Sequence, residues 1–212
     1  MIDDRPRRGR HAEALRNDAL VLDAARAVFA ERGGDAPVAA VAERAGVGIG
    51  TLYRRYGGKD ELLKRLCVLS LEQNVAGAES AIASDEPWEG FCEYVRTSIR
   101  LAVGAFSPLA GKIEPTEEMS RLAGTVRRRV TELVRRAHAD GSLRTDANAI
   151  DILQLIERFS RAFPPNGDSQ DEATRRRQVE IALGGLHANV GPPLPGPAPK
   201  PSDYVRRWTR TV

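Results

Sequence analysis

The stretch Val38-Ala-Ala-Val-Ala-Glu-Arg-Ala-Gly-Val-Gly-Ile-Gly-Thr-Leu-Tyr-Arg-Arg-Tyr-Gly57 decides how this chain folds. Residues 38–45 fit a short helix stopped by Gly46, and residues 49–55 fit a second one stopped by Gly57-Gly58. Two short helices joined by so tight a turn must cross steeply. A small residue is then needed where the backbones approach, and Ala42 supplies it; the turn needs a residue that accepts positive φ, and Gly46 supplies that. Val41, Ala45, Val47 and Leu52 form the inward faces, and Tyr56, one helical turn beyond Leu52, lies against the same core. The second helix is left to present Ile49, Gly50, Thr51, Tyr53, Arg54 and Arg55. This set suits a DNA groove. Arginine donates to guanine edges, a threonine methyl packs on a thymine methyl, and tyrosine and Lys59 reach phosphates. Gly50 lets the backbone come close. The plain alternative is a three-helix core with incidental surface arginines.

Working outward, the pattern is helical almost throughout. Residues 13–32 carry Leu15, Ala19, Leu22, Ala25 and Phe29 at steps of three and four, and Gly33-Gly34 stops the run. Pro37 suits the first turn of the next helix. Lys59 opens a long helix with Leu62, Leu63, Leu66, Leu69 and Val75 along it, ending near 84–87. Further helices are expected over 86–105, from a Thr116 cap to about 139, from an Asp146 cap through Ile150, Leu153, Ile156 and Phe159, and over 171–190. No alternating strand pattern and no internal repeat is present. The expected fold is all-α: an N-terminal three-helix helix-turn-helix domain joined to a C-terminal helical bundle. Residues 1–12 read as a flexible basic arm, 13–58 as the helix-turn-helix DNA-binding domain, and 59–190 as the second helical domain. The helix from Lys59 links the two, and 191–212 form a Pro/Gly-rich tail with a basic aromatic end.

Composition removes other classes. With 212 residues, 42% hydrophobic and 29% charged, the chain has the make-up of a globular protein. No apolar run approaches the ~20 residues of a membrane helix, so no membrane partner is expected. The charged N-terminus has no apolar stretch after it, so no secretory signal is expected. Cys67 and Cys92 form no C-x-x-C pair, and a cytoplasmic protein is the simplest reading. The net charge of +3 says little, but its distribution says more: Arg5, Arg7, Arg8 and Arg10 crowd the N-terminus, and Arg54, Arg55 and Lys59 form a second cluster. His11, His138 and His187 are scattered without metal-ligand spacing, and no nucleophile elbow, phosphate loop or dinucleotide fingerprint occurs. Glu117-Glu118 suit a helix N-terminal turn. No enzyme activity, cofactor or metal is expected.

The run from Val41 to Tyr56, followed by Lys59-Asp60-Glu61-Leu62-Leu63, resembles the N-terminal domain of the TetR/AcrR family of transcriptional regulators. Ala24-Ala25 and Val28-Phe29 before Gly33 resemble the family's first helix, so the resemblance covers about 20–63. It implies a homodimer that binds double-stranded, palindromic operator DNA, acts most often as a repressor and is released by a small-molecule effector, with 59–190 as the regulatory bundle that dimerises and binds ligand. By position, Thr51, Tyr53, Arg54, Arg55 and Lys59 match the family's DNA contacts, and Ile49 and Gly50 match positions that often touch bases. Arg7, Arg8 and Arg10 would reach a neighbouring groove or phosphates. Three departures stand out. Gly48 replaces a frequent capping serine, Pro37 replaces a serine or threonine, and Tyr56 replaces the commoner phenylalanine.

Two recognition helices ~34–36 Å apart meet successive major-groove faces of a palindrome. The last two long helices are the expected dimer interface, through Ile150, Leu153, Val179, Ala182, Leu183, Leu186 and Val190, with Gly184 and Gly185 permitting close approach. The alternative places these side chains in the subunit's own core. A ligand pocket is expected among Phe91, Tyr94, Val95, Phe106, Met119, Leu122, Phe159 and Phe163. Two other function classes stay open on the residues alone: a helical protein-interaction adaptor using the tail, and a helical enzyme.

Overall fold

The computed structural model describes the backbone of residues 5–33, 35–101, 103, 104, 106, 113–162, 169–188 and 191–202. Side chains within these are described from residue 18 onward, apart from 30, 161, 162, 169 and 171. Among the described residues the chain forms α1 (Arg5–Arg32), α2 (Val38–Arg44), α3 (Ile49–Tyr56), α4 (Lys59–Ile82), α5 (Pro87–Arg100), α6 (Glu117–Ala139), α7 (Ala149–Ala162) and α8 (Ser169–Leu186), and no strand. One isolated antiparallel bridge joins Leu143 to His187.

Helices α1 to α3 form the N-terminal head. Its core holds Leu22, Ala25, Val28 and Phe29 of α1, Val38, Val41 and Ala42 of α2, and Leu52 of α3. Gly46 sits at φ +67°, the left-handed conformation the turn needs, and Val47 N–H returns to the Ala42 carbonyl at 3.0 Å. Arg44 on α2 makes an ion pair with Glu31 on α1 at 2.7 Å, fixing the second helix to the first. Leu62, Leu63, Leu66 and Cys67 of α4 join the same apolar cluster, as do Phe106, Ile113, Met119 and Leu122 from the body. Head and body therefore share a continuous core along α4.

In the body, α4 and α6 run side by side in the same direction. Glu79 pairs with Arg129 at 2.9 Å, and further along the carbonyls of Ile82 and Ser84 accept from Arg136. Trp88 stacks on Phe91 of α5, and α8 is tied to α5 by two hydrogen bonds from Arg96 to Glu180, at 2.7 and 3.0 Å.

Four features differ from the sequence expectation. Residues 5–12, expected as an arm, have helical backbone continuous with α1. Helix α5 ends at Arg100, not near 105, because the chain there turns onto α7. Gly104 passes so close that a Cβ would lie 2.6 Å from Glu157 Cα, and its N–H donates to Ser160 Oγ at 3.3 Å. Asn148, not Asp146, caps α7: its side-chain oxygen accepts from Ile150 and Asp151 N–H, while Asp151 accepts from Asn148 N–H. Asp146 instead pairs with Arg144 at 2.5 Å and accepts from Leu194 N–H at 2.7 Å. The beginning of the tail is thus strapped to the body. Arg144 also donates to the Pro192 carbonyl, and Asn148 to that of Pro199.

Candidate functional site

Helix α3 has one buried anchor, Leu52, at 2% exposure. Fully burying a leucine is worth about 1.5–3 kcal/mol, enough to fix which face of an eight-residue helix turns outward. That face carries Ile49 and Tyr53, each 41% exposed, together with exposed Gly50, Thr51 and Arg54. Arg54 Nη2 lies 3.4 Å from Thr51 Oγ1, so both side chains sit on one ridge. Lys59 follows, exposed, at the start of α4. These six sequence-expected residues share one surface. Gly48 caps α3 in an extended conformation without a side-chain bond, and Pro37 caps α2 in the same way. Both departures from the family pattern are therefore real missing caps.

Arg55 is placed differently. Its guanidinium pairs with Asp18 of α1 at 2.9 Å and lies over the Tyr56 ring, 5.7 Å from the centroid. Tyr56 Oη also donates to Asp18, and burial followed by this hydrogen bond pushes the phenol pKa upward. Asp18 thus braces the recognition helix from behind, and Arg55 serves that brace. Sequence reading missed Asp18. The signal was its position on the stripe Asp18, Leu22, Ala25, Phe29, which turns a carboxylate toward the core face of α1. Arg7, Arg8 and Arg10 lie on the α1 backbone, but their side chains fall outside the described residues.

A cavity of about 220 Å³ opens between α4, α6, α7 and the turn after α5. Of the expected lining, Phe106 and Met119 are there. The others are not. Phe91 and Val95 are fully buried in the body's core, and Tyr94 is buried there with its hydroxyl donating to Asn74 Oδ1 at 2.6 Å. Leu122 belongs to the core shared with the head, and Phe159 packs on the body's core. Phe163 lies outside the described residues. The wall instead recruits Cys67, Ser70 and Asn74 from α4, Arg127 from α6 and Glu157 from α7. Burial pushes the Cys67 thiol up to about 12, so it is a neutral wall element.

Beneath this wall lies Arg26 of α1, 1% exposed. It donates to Ser70 Oγ at 3.1 Å and to Gln73 Oε1 at 2.7 Å, while its Nε has no partner. Burial lowers its pKa to about 10, with Asp23 opposing the shift. Ser70 in turn donates to the Val103 carbonyl.

The expected interface residues have a different position. Ile150, Leu153, Val179, Leu183 and Leu186 are buried in the subunit's own core, and Leu153 lines the cavity. A period of 3.6 identifies a buried face without saying what buries it. Ala182 is half-buried, and Val190 lies outside the described residues. Exposed on α8 are Ile181, at 64%, and Gly184 and Gly185.

Among the described residues no His, Cys, Asp or Glu group could hold a metal, and no helix is long and apolar enough to cross a membrane.

The profile described as "Bacterial regulatory proteins, tetR family" matches residues 21–66, and that described as "Transcriptional regulator SbtR-like, C-terminal domain" matches 86–188. No curated protein matches the chain. Several solved structures do. A TetR transcription regulatory protein from Mycobacterium vanbaalenii is 26% identical, with 84% of this chain and 99% of that one covered and a TM-score of 0.56. A TetR transcriptional regulator from Streptomyces coelicolor is 24% identical over 82% and 99% of the two chains, with a TM-score of 0.56. The ketosteroid transcriptional regulator KstR2 of Mycobacterium tuberculosis is 21% identical over 81% and 95%, with a TM-score of 0.58. With the head matched by one profile, the body by the other, and the fold shared with the solved structures, the chain belongs to the TetR family of DNA-binding transcriptional regulators.

Proposed function

We propose that this regulator is a cytoplasmic repressor that holds a palindromic operator as a homodimer and lets go when a small molecule fills the cavity. One observation carries the control step: the cavity and the DNA-binding head share their supports. Ser70 lines the cavity and accepts Arg26 of α1. Phe106 lines it too, and its ring lies 6.0 Å from Phe29 in the head's core. A ligand that shifts α4 or Phe106 must shift α1, and with it Asp18 and the recognition helix. A ligand-driven change requires contacts that differ between the bound and free states, and these shared supports are where such a difference would arise.

Thr51, Tyr53, Arg54 and Lys59 form the reading surface in this proposal, with Ile49 and Gly50 nearest the bases. Arg55 supports α3 through Asp18 and adds positive potential. Arg7, Arg8 and Arg10 are assigned to flanking phosphates. The dimer uses the outer face of α8, where Ile181, Gly184 and Gly185 recur at helical spacing and, among the described residues, nothing beyond the helix itself comes within 4 Å of either glycine's Cβ position. Small residues there permit close helix approach.

Selection of bound sequences from a random duplex pool tests the reading. The expected product is a palindrome with half-site centres about one helical turn apart. Enrichment of no sequence at low salt would refute it. In sedimentation, wild type should run as a dimer at micromolar concentration and Ile181→Asp as a monomer; a wild-type monomer would remove the two-headed mechanism.

A further inference from the structure

The cavity wall carries an unmatched positive charge. Arg127 lines the cavity, half-buried, and its guanidinium makes no ion pair or hydrogen bond among the described residues. This contrasts with Arg96, Arg129, Arg135 and Arg144, each of which has a carboxylate partner. The acidic residue of the wall, Glu157, has its own interaction partner within the chain. A half-buried cation beside apolar surface lacks part of its water, and with no carboxylate bonded to it among the described residues it favours an anion.

Register places a second donor near Arg127. Helices α4 and α6 run in the same direction, so Cys67 and Met119 mark the end of the cavity toward the head, and Asn74 and Arg127 mark the opposite end. Asn74 Oδ1 already accepts from Tyr94 Oη, which leaves the Asn74 amide with N–H donors to offer. The far end thus offers two donor groups, one of them charged. The near end, with Cys67, Phe106 and Met119, is apolar. Seven residues of α4 and eight of α6 separate the ends, roughly 10–12 Å at the helical rise.

We infer that the effector is a small monoanionic amphiphile about that long, with its acid group on Arg127 and Asn74 and its apolar body against Phe106 and Met119. The inference rests on the reading of the cavity as the effector site and specifies what that site takes.

Calorimetric titration of the full chain with octanoate, octan-1-ol and octylamine tests it. Octanoate should bind about ten- to a hundredfold tighter than octan-1-ol, the effect of a charge-assisted hydrogen-bond pair. Arg127→Gln should remove that advantage while leaving octan-1-ol unchanged, and Arg127→Lys should keep most of it. Equal binding of octanoate and octan-1-ol, or tighter binding of octylamine, overturns the inference whether or not either variant folds. So does failure of all three probes to bind a chain that still holds duplex. Octanoate binding that depends on Arg127 but leaves duplex in place would uphold the ligand class and instead defeat the release mechanism.

Discussion

Replacing Arg26 by methionine separates what the buried guanidinium does for stability from what it does for control. Arg26 is 1% exposed, and burial lowers its pKa from 12.5 to about 10. At 1.36 kcal/mol per unit, keeping the charge costs about 3 kcal/mol at neutral pH. Its bonds to Ser70 and Gln73 oppose this, at about 1.5 kcal/mol each for a charged donor. The two effects are opposite in sign and of the same order. Methionine keeps a similar apolar stem in the same place. Ser70 still donates to the Val103 carbonyl, and the exposed Gln73 is hydrated instead. Arg26→Met should therefore lie within about 1 kcal/mol of wild type in urea denaturation, as replacement of buried ionic groups by apolar ones often does. Arg26→Ala also loses the stem and should be destabilised by about 3 kcal/mol, as large-to-small core changes are. In duplex-release assays Arg26→Met should respond less to octanoate, because one of the two links from the cavity wall to α1, the Ser70 bond, is cut while the Phe106–Phe29 contact remains. A methionine variant that loses 3 kcal/mol or more would refute the reasoning: the guanidinium would then be holding the fold rather than coupling two sites.

Asp18→Ala removes the acceptor for both Tyr56 and Arg55, so the head should lose about 1–2 kcal/mol in urea denaturation and bind duplex more weakly, without loss of helical circular dichroism. An unchanged affinity would mean that α3 needs no brace from α1. The tail strap gives a pH expectation. The Arg144 bonds, and next the Leu194 N–H, hold the Asp146 carboxyl well below the usual carboxylate range. A depressed folded pKa stabilises fully above the unfolded value of about 3.9, and the contribution disappears only as pH falls through the lower folded value. Hydrogen exchange at Leu194, corrected for intrinsic rate, should stay protected from pH 7 to pH 5 and lose protection at pH 5 in Asp146→Asn. Loss in wild type over that range would contradict the assignment.

The head was legible because its determinants are local. Ala42, Gly46 and Leu52 each act within a few residues of chain, so their types and spacing specify turn, crossing and anchor together. The body was legible as helices but not as a site. Ile150, Leu153, Val179, Leu183 and Leu186 follow a clean helical period, and that period is satisfied by the subunit's own core as well as by a partner. The aromatic residues chosen for the cavity, Phe91 and Tyr94, are core by size. The wall is made by Ser70, Asn74 and Arg127, whose meeting depends on how α4 lies along α6. Arg26 carried a faint signal, a charged residue between Leu22 and Phe29 on the apolar stripe of α1. The choice of Asp146 as cap failed because Asn148 and Asp151 form the reciprocal pair two residues further on.

The central claim is that the ridge of α3 and the start of α4 hold DNA. Affinity of the pool-selected palindrome for wild type and for Arg54→Ala combined with Lys59→Ala, over a salt series, tests it most directly. Both side chains are exposed and contribute nothing to the core, so the double variant should melt like wild type. Wild type should bind below about 1 µM, weakening steeply with salt as released counterions require, and the double variant should lose binding. Intact binding by a folded double variant would contradict the account.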